Sequence, residues 1–203
     1  MKRLMKFVTA TAMTATLVGC GATLKMIERM GQSVRTDVFT EVTADSAAPA
    51  GFVDLVIKGS LKAPLEGYDA PESKAPVHEK SGYPFLVNID GQAVVWKVDG
   101  QKEILPLYDE NGKTSHDPDA GAGLKYILEK KIRLAAGPHE IFFGLPRETY
   151  YTKVQLTLKE DGVPVLEFEP RYCYKTIPTR IPTFLRGICG YEAMLDGQII
   201  RKE

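Results

Sequence analysis

The chain has 203 residues, 26 of them Lys or Arg and 26 Asp or Glu, so its formal net charge is zero. That balance argues against a nucleic-acid partner, which needs a basic excess or stripe. A hydrophobic share of 44% excludes a disordered chain and leaves room for one core, while three cysteines leave one over if the other two pair.

The chain opens Met1-Lys2-Arg3-Leu4-Met5-Lys6, basic without an acid, and runs uncharged from Phe7 to Val18. About twelve such residues are too few to cross a bilayer core of about 30 Å, for which a helix needs about 20. The length and flanks are those of a secretory signal peptide, residues 1–19, which stands outside the fold. The run ends Leu17-Val18-Gly19-Cys20, which resembles a bacterial lipobox. The resemblance covers the first twenty residues. It implies that Cys20 is diacylated on sulfur, that the peptide before it is removed, and that the new amine is acylated. The alternative is an ordinary export signal that ends in cysteine. Two or three acyl chains, at about 0.8 kcal/mol per buried methylene, anchor a protein that one chain holds only marginally. Residue 21 is glycine rather than the aspartate that resembles an inner-membrane retention signal. The resemblance therefore implies the outer membrane, on its periplasmic side, with the inner membrane or the cell surface as alternatives. Removing residues 1–19 takes Lys2, Arg3 and Lys6 and no acid, which leaves a net charge of about −3.

Beyond the anchor, Leu24, Ile27, Met30, Val34 and Val38 recur every three or four residues, a helix period interrupted by Gly31. Residues 20–51 are expected to be a lipidated tether, with or without a short helix. Its end, Ala44 to Gly51, is small and turn-rich and reads as a linker. The folded domain is expected over residues 52–203.

Within it, Phe52 to Leu61 is β-rich, and three prolines make Pro64 to Pro76 an irregular loop. Phe85 to Ile89 and Ala93 to Val98 flank Asp90-Gly91, the strongest short hairpin signal, because both turn residues tolerate positive φ. Asp99-Gly100 turns the chain into Glu103 to Leu107, where Pro106 marks an edge or bulged strand. Leu124, Tyr126, Leu128, Ile132 and Leu134 alternate, broken by Lys130. A helix would place Lys131 among its apolar residues, so the reading is a strand. Ala136-Gly137-Pro138-His139 turns into Glu140 to Leu145, and Tyr150 to Leu158 alternates again. Asp161-Gly162 leads into Val163 to Tyr174, and Asp196-Gly197 joins Tyr191 to Leu195 with Ile199 and Ile200. Short strands at this spacing predict a mainly β fold, an antiparallel β-sandwich of immunoglobulin-like architecture.

Val87-Asn88-Ile89-Asp90-Gly91 together with Leu134 to Ile141, which contains Gly137-Pro138-His139, resembles the pattern of PEGA-like envelope domains. These are small, non-enzymatic β-sandwich modules. The resemblance covers at most Phe85 to Pro170, has an insertion from Asp109 to Gly123, and lacks the motif that names the family. It implies a sandwich and says almost nothing of function.

If Cys20 is acylated, Cys173 and Cys189 remain as an even pair in an oxidising compartment. A disulfide between them closes a loop of about sixteen residues; two separate buried thiols are the alternative. Asp109 to Asp119 gathers oxygen ligands around His116 but lacks EF-hand spacing and contains Lys113, so a solvated loop is expected and no metal. His78, His116 and His139 share no zinc spacing. There is no Gly-x-Ser-x-Gly elbow, Walker loop or Gly-x-Gly-x-x-Gly fingerprint, so neither catalytic residue nor cofactor is expected. Tyr150, Tyr151, Arg171, Tyr172, Tyr174, Arg180 and Arg186 mix cations with aromatics, as protein or glycan contacts do, and as half-buried sheet faces do too. Two function classes remain. One is a non-catalytic envelope lipoprotein whose sandwich binds or scaffolds another envelope component. The other is a hydrolase of cell wall or polysaccharide.

Overall fold

Alternating apolar residues become strands with one buried face, and two such faces pressed together form the core. The structure, a computed structural model, describes residues 20–43, 47–65, 81–108, 110–173 and 182–200. These residues form one helix, α1 (Cys20–Met30), and strands β1 (Phe39–Glu41), β2 (Phe52–Ala63), β3 (Tyr83–Ile89), β4 (Gln92–Val98), β5 (Gln101–Leu105), β6 (Gly121–Ala135), β7 (Gly137–Leu145), β8 (Tyr150–Leu158), β9 (Val165–Tyr172), β10 (Ile188–Leu195) and β11 (Gln198–Ile199). One sheet runs β1-β6-β2-β9-β10-β11, with β5 also on β6; the second runs β4-β3-β7-β8. The molecule is a β-sandwich. All pairings are antiparallel except β2 with β9, which run parallel because the chain crosses between the sheets after β8.

The hairpin at Asp90-Gly91 forms as its composition predicts, with φ of 49° and 94° at the two turn residues. Asp196-Gly197 forms the β10–β11 hairpin in the same way. Leu124 to Leu134 lies inside β6, where Leu124, Tyr126, Leu128, Ile132 and Leu134 are all buried. Lys130, the break in that alternation, sits near the sandwich edge and pairs with Glu41 of β1 at 3.7 Å. Glu41 also accepts a 2.7 Å hydrogen bond from Trp96 Nε1 of β4, which ties the two sheets at that edge. β5 stops at Leu105, just before Pro106, and is an edge strand on β6. Most of the Pro64 to Pro76 loop lies outside the described residues.

Across the core, Phe143 of β7 stacks on Phe168 of β9 with ring centroids 4.2 Å apart. Gly59 on β2 makes room for that stack, since a Cβ there would lie 3.0 Å from the Phe143 ring. This glycine is a packing requirement rather than a hinge.

The short helix allowed for in residues 20–51 forms as α1 and lies on the sandwich. Ile27 of α1 is buried against Leu86 and Phe142 on the outer face of the second sheet, with Met26, Met30 and Tyr151 around it. Asn88 Nδ2 donates to Met30 O at 2.7 Å, satisfying a carbonyl at the helix end. Ser33 exchanges hydrogen bonds with the Ala93 backbone. Val38 and Phe39 donate to Gln92 Oε1, and β1 then joins β6. Both α1 and β1 precede Phe52 and both pack on the domain.

A cover also lies on the outer face of the first sheet. The β5–β6 connection and residues 182–187 close over the ends of β2 and β6, where Phe184 and Leu185 are buried. The disulfide Cys173–Cys189 ties the end of β9 to the start of β10 beside this cover.

Candidate functional site at the docked helix and an edge groove

Cys20 is the first residue of α1, so the predicted acylation point joins the docked helix directly. Among the described residues no helix is long and apolar enough to cross a membrane.

The aromatic and cationic residues singled out by the sequence do not share one face. Neighbours on a strand point to opposite sides, so Tyr150 separates from Tyr151 and Arg171 from Tyr172. Tyr151 stacks on Phe142 beneath α1, with ring centroids 5.1 Å apart. Tyr172 is buried, and its hydroxyl accepts from Lys62 N at 2.8 Å. Tyr150 Oη accepts from Tyr191 N at 3.0 Å. Arg186 belongs to the short 3-10 turn Thr183–Arg186. Tyr174 and Arg180 lie outside the described residues, as does His78.

Three tyrosine hydroxyls share a structural task. Parallel pairing of β2 with β9 ends at Gly59 and Phe168, and past that point backbone groups need other partners. Tyr191 Oη donates to Ser60 O at 2.7 Å, Tyr172 Oη accepts from Lys62 N, and Tyr150 Oη serves Tyr191 N on β10. Burial pushes the Tyr172 and Tyr191 phenols well above their ordinary pKa. They stay protonated, and their polar ends replace a missing ladder.

Between the β8 and β10 edges these residues line an open groove of about 700 Å³, with Tyr150, Arg171, Gly190, Glu192 and Ile199 on its walls. Arg171 is 70% exposed and stands 3.7 Å from Glu192. The groove offers aromatic area, one directional cation and an exposed aliphatic residue, a combination that suits a protein or glycan contact. Among its described lining residues no nucleophile is paired with a base.

The remaining candidates are engaged within the fold. His139 contacts Asp90 Oδ2 through Nδ1 at 2.6 Å and Ala135 O through Nε2 at 2.9 Å, so both ring nitrogens are occupied. Asp90 also accepts from Glu140 N, and the three groups lock the β3–β4 turn to β7. In the acidic loop, Asp117 Oδ1 accepts from Asp119 N and Asp119 pairs with Lys125; Asp109 lies outside the described residues. Among the described residues no group of three His, Cys, Asp or Glu is placed to hold a metal ion.

One polar cluster has no counterpart in the sequence reading. Lys62 on β2 and Lys125 on β6 stand directly opposite each other, an arrangement that like charges disfavour. Each finds its own anion, Lys62 with Glu103 at 2.8 Å and Lys125 with Asp119. Lys62 passes over Gly123 to reach Glu103, and a Cβ on Gly123 would lie 2.9 Å from Lys62 Cε. The ammonium also donates to Asp119 O and Gly121 O and faces the Phe184 ring at 5.3 Å. Lys62 thus pins the cover to the sheet. In sequence it falls just past the β-rich segment Phe52 to Leu61, and nothing around it marks it as buried. No protein-family model, no curated protein and no solved structure matches this chain.

Proposed function

We propose that the chain is a non-catalytic, lipid-anchored protein of a bacterial envelope, held by acylated Cys20 to the outer membrane on its periplasmic side. Its sandwich binds or scaffolds another envelope component, protein or glycan, through the groove at Tyr150, Arg171 and Ile199. The order of basic start, apolar run and Leu17-Val18-Gly19-Cys20 carries the reading. The disulfide Cys173–Cys189 supports it, since such bonds persist in oxidising compartments. The hydrolase alternative has less to stand on. His139 lies just past the end of β6 and His116 in the loop before its start, and fifteen strand residues span about 45 Å.

The test is fractionation of cells expressing the full chain or its Cys20→Ala variant, with mass analysis of the mature amino-terminal peptide. The expected outcome is a diacylated peptide and a membrane-bound chain, released to the soluble periplasm by the substitution. A Cys20→Ala chain that stays with the membrane overturns the anchor. For the partner, a photocrosslinker at Ile199 in intact cells should yield adducts that a crosslinker at Val95 does not. Equal yields from the two sites would remove the groove from the proposal.

A further inference from the structure

Resting on that reading, we infer that the bilayer is not only the place of the anchor but a surface that the folded domain itself touches, through the first turn of α1. Lipidation at Cys20 would put acyl chains on a helix whose position is already set. Ile27, seven residues on and about 10 Å along the axis, is buried against the second sheet. The helix end is held by the Asn88 bond to Met30 O and by the Ser33–Ala93 pair. About two helical turns separate the acylation point from the contact of Ile27 with the sandwich.

The chemistry of that first turn fits an interface. Cys20-Gly21-Ala22-Thr23-Leu24 carries no charge, and Lys25 is the first ionised side chain after the acylation point. Leu24 is 41% exposed although α1 turns other apolar residues onto the sheet. It lies four residues from Cys20, one turn along the same flank of the helix. An aliphatic residue left outside beside an acylated cysteine has the acyl region as its nearest apolar medium. Lys25 can then lay its stem along the boundary and keep its ammonium among the headgroups. The domain rests on the membrane in one orientation, with the second sheet and α1 nearest the lipid.

The probe is a nitroxide on Leu24→Cys in the full acylated chain, reconstituted in vesicles of phosphatidylethanolamine and phosphatidylglycerol. Cys173 and Cys189 are paired and do not take the label. Collision with dissolved oxygen and with a water-soluble nickel chelate reports depth, and Ile199→Cys serves as the reference. The expected result is a several-fold lower chelate collision rate at residue 24 than at residue 199, lost in the Cys20→Ala background. Equal collision rates at the two sites in a chain whose amino-terminal peptide is acylated would overturn the contact and leave the lipoprotein reading standing. Protection of residue 24 that persists in soluble Cys20→Ala protein would overturn it as well, because a protein surface would then be the cover. An amino-terminal peptide without acyl chains would instead defeat the anchor on which the inference rests.

Discussion

Replacing Lys62 by methionine keeps the aliphatic stem and removes only the ammonium, so it isolates the ionic clamp between sheet and cover. The wild-type side chain is fully buried, and its nitrogen meets Glu103 Oε2 at 2.8 Å, Asp119 O at 2.6 Å and Gly121 O at 3.0 Å. Breaking a buried pair from one side costs about 3–5 kcal/mol, because the other charge is left uncompensated. Two features pull the value down. Glu103 is 33% exposed and can rehydrate, and loss of Lys62 relieves its repulsion with Lys125 across the strand pair. The two carbonyls, by contrast, lose a charged donor in a buried place. The expected cost is about 3 kcal/mol, read as a lower urea midpoint at unchanged m value in the oxidised Cys20→Ala protein. Lys58→Met is the control, since Lys58 and Glu129 form an exposed pair at 3.5 Å worth under about 1 kcal/mol. The Lys62 effect should also persist in high salt, which screens exposed pairs and leaves buried ones. A Lys62→Met cost indistinguishable from that of Lys58→Met would refute the clamp.

Two further outcomes follow from groups equally specific to this fold. Asp54 is buried on the outer face of β2, holding Arg133 at 2.6 and 3.0 Å with Lys131 at 3.4 Å, and the Arg133 hydrogen bonds pull its carboxyl pKa below the ordinary 3.8. A lowered folded-state value gives stability that is full above pH 3.8 and fades as pH falls through that lower value. Asp54→Asn should therefore cost about 2 kcal/mol at pH 7, with the gap to wild type closing in urea titrations at successively lower pH; a gap that does not change with pH would contradict the assignment. Reducing Cys173–Cys189, which spans 16 residues, should lower stability by about 3 kcal/mol and Tm by roughly 10 °C. Calorimetry of oxidised and reduced protein reads this directly, and coincident transitions would show that the bridge constrains nothing.

What the sequence made legible, and what it hid, divides along one physical line. Period-two alternation reports which side of a strand is apolar, so β6 and β8 were readable as strands and the Asp-Gly pairs as turns. The same alternation carries no information on a third layer outside the sheet. Lys62 and Asp54 occupy outward positions on β2, yet both are buried, Lys62 beneath the cover and Asp54 between Arg133 and Lys131 of β6. Tyr150, Tyr151, Arg171 and Tyr172 fit a contact face or a half-buried sheet face equally in composition, but adjacent strand positions must diverge. Applying the period to them separates Tyr151 from the groove without any structure. Arg171 keeps its place there, exposed beside Glu192. The parallel β2–β9 pairing was beyond reach, since it depends on which sheet the chain enters after Asp161-Gly162.

The two faces turned away from the core are each covered in part, one by α1 and the other, at the ends of β2 and β6, by the β5–β6 connection with residues 182–187. The α1 cover makes a small separate cluster, whereas Phe184 and Leu185 of the other cover pack into the main core. Ile27 and the Asn88 bond hold α1; Lys62, Phe184 and the neighbouring disulfide hold the other. The disulfide falls beside one cover and the proposed acylation point on the other, while the Phe143–Phe168 stack lies between the sheets. That separation has a mechanical consequence. If Cys20 carries the proposed anchor, force on it would enter the domain through α1 and the second sheet, whereas the groove sits across the sandwich edge on β10 and β8. A partner seated at Arg171 would load the first sheet, so the core stack and the Tyr150 link between the sheets become the path connecting membrane to partner.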